Sequence, residues 1–512
     1  MPCGRRRADS RARDSALSAS GLRSTARGAK VARVAYAVLL NFIMPEQPVR
    51  IEHDLLGDKA VPADVYYGIQ TARALDNFRI SGVPLHLYPD VIRGFAMVKM
   101  AAARANFDCK VFSREILTGI EGACQELMNG KLHDQFRLDV FQGGAGTSTN
   151  MNANEVIANR ALELMGHKKA EYQFCDPHDH VNASQSTNDA YPSALHVAIA
   201  LGNVRLIGAI TQLIDAFRAK GREFAVVVKM GRTQLQDAVP MTLGQEFTAF
   251  GETLLGEVRA LDVVQRVLCE VNMGATAIGT GLNAPPGYAQ ACTKHLADIT
   301  GFPIHLATDL IEATQDTQAF VLYSSCMKSL AIKLSKVCND LRLLSSGPRC
   351  GLREINLPAK QPGSSIMPGK VNPVIPEVVN MVCFRVIGND LTISLAAEAG
   401  QLQLNVFEPV IAACIFEAQT MFINAAQTLR EHCVTGITAN TDVCRHYVEY
   451  SIGTVTALNP VIGYERATGL ATEAMRTGRG ILELIRERKI LSEEQIAAVL
   501  DPVAMTGQSL RE

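Results

Sequence analysis

An excess of charge of either sign is missing from this sequence, in which 50 Lys and Arg stand against 51 Asp and Glu over 512 residues. No broad electropositive field of the kind that neutralises phosphates can form, which sets nucleic acid aside as a partner. Paired cysteines are missing as well: the 13 cysteines are odd in number and contain no Cys-x-x-Cys. Cys326, Cys338, Cys383 and Cys414 fall inside apolar helical patterns and read as reduced, buried thiols of a cytoplasmic protein. No apolar stretch reaches the roughly 20 residues that span a bilayer, so a soluble chain with no membrane partner is expected. There is no HExxH, no zinc spacing and no Cys/His pair suited to a thiol nucleophile, so no metal site is expected. Two Gly-rich segments also fail as nucleotide loops. Gly363 to Lys370 has five residues between its glycines and Val371 after the lysine, and Gly144-Ala-Gly146 lacks a third glycine.

What is present is length enough for two or three domains and long amphipathic text. Residues 1–43 carry nine Arg or Lys against Asp9 and Asp14 in an Ala/Ser-rich composition. They do not resemble core, and they are read as an extension, either disordered or belonging to a start upstream of Met44, in preference to a targeting peptide. Short helical patterns interrupted by Pro62, Gly68, Pro84 and Pro89 suggest an α-rich domain over 44–187. Very long helices follow over 188–440, the signature of a bundle. Leu330, Leu334, Val337, Leu341 and Leu344 form one stripe, and Phe247, Phe250, Leu254, Val258 and Leu261 another, both expected to face core. The charge-poor text from Val378 to Leu402 would expose apolar surface in a monomer, which points to burial between subunits. A small helical domain is expected over 441–512, with Asn459-Pro460 as a break and Leu491-Ser492-Glu493-Glu494 as a helix start. The class is all-α.

Polar segments interrupt this apolar text at Gly144-Ala-Gly-Thr-Ser-Thr-Asn-Met-Asn-Ala-Asn-Glu155, Gln185-Ser-Thr-Asn-Asp189, Gly231-Arg-Thr-Gln234 and Gly363-Ser-Ser-Ile-Met-Pro-Gly-Lys-Val-Asn372. Neutral donors with one lysine suit a small dianion such as a dicarboxylate. Helix capping explains one such segment but not all of them together. Glu155 and Asp189 are expected to hold loops, and His53, His178 and His180 to be surface or structural.

The segment 363–372 resembles the signature of the aspartase/fumarase superfamily, and the other segments resemble its further conserved regions, in order. The resemblance runs from Met44 to the C-terminal region. Gln234, Val374-Ile-Pro-Glu377, Gln185-Ser-Thr-Asn-Asp-Ala-Tyr191 and Leu162-Glu-Leu-Met-Gly-His167 are similar to the aspartase branch rather than to fumarases. The resemblance implies a three-domain fold with a central long-helix bundle, and a homotetramer whose multi-helix core shares each site among three chains. It implies elimination of ammonia from L-aspartate to fumarate, with no organic cofactor and with activation by a divalent cation such as Mg²⁺ in some members. It makes Ser364 the base, acting as an alkoxide favoured by loop N–H groups and Lys370. Thr147, Ser186, Thr187 and Ser365 then hold the β-carboxylate, Lys370 and Asn372 with Thr233 hold the α-carboxylate, and Asn188 and Gln234 recognise the amino group. Fumarate hydration in the same pocket is the alternative, and a non-catalytic oligomer a more distant one.

Overall fold

The structure, a computed structural model, describes residues 48–499 together with Asp501 and Thr506. The expectation for residues 1–43 lies outside the described residues. The chain divides into two compact units, one ending at Val65 and one beginning at Tyr66. In the first, β1 (Val49–Asp54) pairs antiparallel with β2 (Gly57–Pro62). Arg50 fastens this hairpin from one side, with Nη1 donating to the carbonyls of Pro62 at 2.9 Å and Val65 at 2.8 Å.

The second unit is mostly helical; the described residues overall are 62% helix and 8% strand, in keeping with the all-α class. It opens with α1 (Ile69–Asn77), α2 (Pro89–Asp108), α3 (Arg114–Met128) and α4 (Thr147–Leu164). Helix α5 (Thr187–Glu223) runs 37 residues, about 55 Å at 1.5 Å per residue. A hairpin of β3 (Val228–Thr233) and β4 (Gln236–Thr242) leads into α6 (Leu243–Val267), and α7 (Tyr288–Thr300) follows. The remaining long helices are α8 (Gln318–Leu344), α9 (Val374–Glu398) and α10 (Glu408–His432).

The long helices close into a bundle: α5 packs on α6, α6 on α8, α8 on α9, α9 on α10, and α10 back on α5. The packing follows the anticipated stripes. Leu330, Leu334, Val337, Leu341 and Leu344 of α8 are all buried, as are Phe247, Phe250, Leu254 and Leu261 of α6. A polar tie crosses the core, where Gln419 Nε2 of α10 donates to the Tyr323 hydroxyl of α8 at 2.7 Å. That hydroxyl in turn donates to Asn203 Oδ1 of α5 at 3.2 Å. Burying such a chain costs desolvation unless its members meet, so it favours one register of the helices over neighbouring ones. Gly202 is required here, since a Cβ would collide with the Gln419 amide.

Two expectations are corrected. Three helices, at Thr187–Glu223, Val374–Glu398 and Glu408–Gly436, are long and apolar enough to cross a membrane by length and composition. Scattered Gly, Asn and Thr hide this in the sequence because they interrupt apolar runs without adding charge. The most apolar windows of the first and third are 61% and 67% buried within the chain, against 39% for α9. Along α9, Met381 (63%), Phe384 (61%), Leu391 (62%) and Leu395 (62%) remain exposed. The second correction concerns Asn459-Pro460. Helix α12 follows α11 (Thr441–Tyr450), spans Thr454–Ile462 and contains Pro460. Its interruption comes at Gly463, whose φ of 81° suits glycine. Beyond lie α13 (Tyr464–Thr477), α14 (Ile481–Glu487) and α15 (Glu493–Val499). Ser492 caps the last as expected, its Oγ accepting from Gln495 N at 3.3 Å. Leu458, Leu470, Ile481, Ile485 and Ile496 form a core of their own there.

Candidate active site

The polar segments fold into three separate groups. In the first, Ser186 caps α5: its Oγ accepts from Asn188 N at 3.2 Å, while Asp189 Oδ1 accepts from Ser186 N at 2.9 Å. Asp189 is fully buried and also takes the N–H groups of Gly274 at 3.2 Å and Thr276 at 3.0 Å. Burial pushes its carboxyl up to about 6 against those bonds. Asn188 is clamped to the same loop, donating from Nδ2 to Ala277 O at 2.7 Å. Helix α4 begins alongside, after Gly146 at φ 86°. A Cβ on Gly146 would collide with the ring of Tyr191 on α5, so glycine allows the two first turns to approach. Thr147 is exposed there, its hydroxyl donating to Gly144 O at 2.7 Å. Two helix N-termini side by side offer unpaired N–H groups and positive dipole ends to a carboxylate.

The second group is the turn of the β3–β4 hairpin. Thr233 pairs with Gln236, and Gln234 and Leu235 between them take φ of 53° and 62°, left-handed values unusual for such side chains. Strain of this kind holds only where the surroundings enforce it. Here Lys229, 1% exposed, binds Glu246 at 2.6 Å and Glu354 at 2.8 Å, and Arg232 binds Glu354 at 2.7 Å. Thr233 and Gln234 project from this braced base and are exposed.

The third group is the loop before α9. Gly363 N donates to Lys370 O at 2.7 Å and Asn372 Nδ2 to Gly363 O at 2.8 Å, which closes the loop at its base. Ser364 Oγ accepts from the backbone N–H of Ile366 at 3.2 Å and of Met367 at 3.1 Å. Two amides aimed at one hydroxyl oxygen are what a developing alkoxide needs. Ser365 and Lys370 are exposed, and Lys370 and Asn372 line a cleft of about 520 Å³ with Arg342 and Arg353. No hydrogen bond or ion pair joins one group to another among the described residues of a single chain. Ser364 therefore meets neither Thr147 nor Ser186, Thr187 and Asn188 through any such bond.

Sequence reasoning missed the groups behind the first cluster. Lys99 of α2 is fully buried, and Nζ donates to Asn182 Oδ1 at 3.0 Å and Gln185 Oε1 at 2.9 Å. Burial lowers its amine to about 7, opposed by the charge of Asp189. A lone lysine in the apolar text Ala96-Met-Val-Lys-Met-Ala101 was the available signal. Glu155 and Asp189 do hold loops: Glu155 accepts from the N–H groups of Gly68 and Gln70, each at 2.8 Å. His53 pairs with Asp58 on the surface, His178 meets Gln70, and His180 accepts from Asp176 N. Among the described residues no group of three or more His, Cys, Asp and Glu side chains is placed to hold a metal ion.

Glu408, at the start of α10, is buried, and burial raises its carboxyl from 4.5 to about 8. In the folded chain it keeps a proton that the unfolded chain loses. Its contribution to stability is therefore fully present below about 4.5 and disappears as pH rises through about 8. Glu408→Gln should flatten that pH dependence and raise the unfolding temperature at pH 8, read by thermal denaturation across this range. An unchanged slope would contradict the burial of a protonated carboxyl.

The family described as Lyase matches residues 57–388, and the one described as Fumarase C C-terminus matches 455–507. An aspartate ammonia-lyase of Pseudomonas aeruginosa is 59% identical, over 91% of this chain and 98% of that protein. Those of Helicobacter pylori and Escherichia coli are 56% and 55% identical, over 89% and 88% of this chain and 98% and 94% of their own lengths. Among solved structures, the fumarate lyase:delta crystallin of Brucella melitensis bound to cobalt superposes with a TM-score of 0.86 at 52% identity, covering 90% of this chain and 99% of that one. The class II fumarase of Schistosoma mansoni gives 0.82 at 35% identity over 90% and 99%. On this evidence of sequence and fold, the chain belongs to the aspartase/fumarase superfamily.

Proposed function

We propose that the protein is an aspartate ammonia-lyase, a carbon-nitrogen lyase that reversibly eliminates ammonia from L-aspartate to give fumarate. Ser364 removes the C3 proton as an alkoxide, helped by the amides of Ile366 and Met367 and by the cation of Lys370. The electrons left on C3 spread into the β-carboxylate as a doubly charged aci-carboxylate. Their return forms the C2–C3 double bond as the C2–N bond breaks. Ser186, Thr187 and Ser365 donate to the growing negative charge, as does Thr147 once its hydroxyl turns from the Gly144 carbonyl to the substrate, and this is where donors accelerate most. Lys370, Asn372 and Thr233 hold the α-carboxylate, and Asn188 and Gln234 receive the amino group. No organic cofactor enters this chemistry. A divalent cation such as Mg²⁺ acts, where it acts, as an activator.

Because no hydrogen bond or ion pair joins the three groups among the described residues of one chain, on this reading the working site is assembled from several chains of a homotetramer. The exposed apolar face of α9 supports that assembly, since water contact along four large side chains of one helix is costly. We place the protein in the cytoplasm. The described cysteines, all free and mostly buried, support a reducing compartment.

The observation that carries the reading is the pair of backbone amides on Ser364 Oγ within the signature loop. The test is direct. Purified protein should raise ultraviolet absorbance with L-aspartate, and should consume fumarate only when ammonium is present. Consumption without ammonium, with malate accumulating, would establish the hydratase instead.

A further inference from the structure

A chain of buried amides runs behind the first group. Asn150 Nδ2, on α4, donates to Thr187 Oγ1 at 3.3 Å and to Asn182 Oδ1 at 3.1 Å. Asn182 Oδ1 also accepts from Asn154 Nδ2 at 3.1 Å and from Lys99 Nζ at 3.0 Å. Gln185 Oε1 takes a further Lys99 hydrogen at 2.9 Å, while Gln185 Nε2 donates to the carbonyls of Val181 and Ala183. Asn150 is 1% exposed and Lys99 fully buried, and Asn150 Oδ1 has no hydrogen-bond partner within the described chain.

The direction of every bond in this chain follows from its anchor. In its protonated form Lys99 carries three donors and no acceptor, so the side-chain atoms of Asn182 and Gln185 that meet it are carbonyl oxygens. The oxygen of Asn182 must then be met by the amide nitrogen of Asn150, whose second hydrogen reaches Thr187. With a lone pair of Thr187 Oγ1 occupied by Asn150, its single O–H hydrogen is left for an acceptor outside this network. Turning the Asn150 amide round would set two oxygens against each other at Asn182, and would give the Thr187 hydrogen a buried acceptor.

We propose that Asn150 is a positioning residue, which with Lys99 and Asn182 forces the Thr187 hydroxyl to donate to the substrate carboxylate rather than to the protein. The inference rests on the reading of Thr187 as a substrate contact given above. None of Lys99, Asn182 and Asn150 touches substrate. Their effect passes through one hydroxyl.

The full-length enzyme, with L-aspartate as substrate, is tested in a double-mutant cycle. Thr187→Val deletes the hydroxyl and should lower kcat by about 10²-fold. Asn150→Asp replaces the donor by an acceptor and should lower kcat by about as much, because the hydroxyl turns to donate inward. In the Asn150→Asp/Thr187→Val double variant the second loss should vanish to within about threefold, since there is no hydroxyl left to orient. Lys99→Met, close to isosteric, provides the same cycle should Asn150→Asp fail to fold: a loss of about tenfold alone, and none beside Thr187→Val. Losses that multiply in full in either cycle would overturn the inference while leaving Thr187 as a contact. A fully active Thr187→Val would overturn that contact, and the inference with it.

Discussion

Ser364→Ala should lower kcat by about 10³-fold or more while leaving assembly and unfolding temperature unchanged, because the loop keeps its shape without the hydroxyl. The loop closes through Gly363, Lys370 and Asn372, and the serine oxygen only receives the hydrogens of Ile366 and Met367. Alanine removes the one atom able to take the C3 proton. A loss of that size corresponds to about 4 kcal/mol of transition-state stabilisation, more than any single surface contact supplies. The decisive comparison is of kcat with KM. A base acts in the transition state, so kcat and kcat/KM should fall together while KM moves little. Turnover that survives in the variant would remove Ser364 from the mechanism.

Lys370→Met should reduce kcat/KM by about 10³-fold, through both terms. The ammonium has two roles in the account: it binds the α-carboxylate in the ground state and favours the alkoxide of Ser364 before proton transfer. Loss of the first raises KM and loss of the second lowers kcat. Lys370→Arg should recover little, because a planar fork presents its donors at a different reach from a compact ammonium. Steady-state kinetics of both variants decides it, and a change of less than tenfold in Lys370→Met would place the carboxylate elsewhere, with Arg342 and Arg353 of the same cleft as the available cations.

Much of the fold is readable in local periodicity. The stripe at Leu330, Leu334, Val337, Leu341 and Leu344 marks α8 because a helix must bury one face, and the cap at Ser186 announces the start of α5. The hairpin carrying Thr233 and Gln234 is harder to foresee. Its turn is Gln234-Leu235, with neither the glycine nor the asparagine that usually accepts positive φ, and the bracing comes from Glu246 and Glu354 far along the chain. Pro460 misled as a helix break, since α12 carries it close to its own end. Non-local contacts explain the remaining gaps. Nothing in the spacing of Lys99, Asn150 and Asn182 shows that they share one buried network. The order of the motifs identifies the chemistry, but says nothing of which groups one chain can bring together.

That separation is the centre of the account, and mixed oligomers test it most directly. Ser364→Ala and Thr187→Val alter groups that no hydrogen bond or ion pair joins among the described residues of one chain and that are proposed to meet only between chains. Co-refolding the two nearly inactive variants in equal amounts should restore roughly a quarter of wild-type activity, since one site in four then draws both intact groups from different parents. Co-refolding Ser364→Ala with Lys370→Met, two changes on one loop of one chain, should restore none. Hybrids of the first pair that stay as inactive as their parents, with mixing confirmed by mass, would contradict a site built from several copies of this chain.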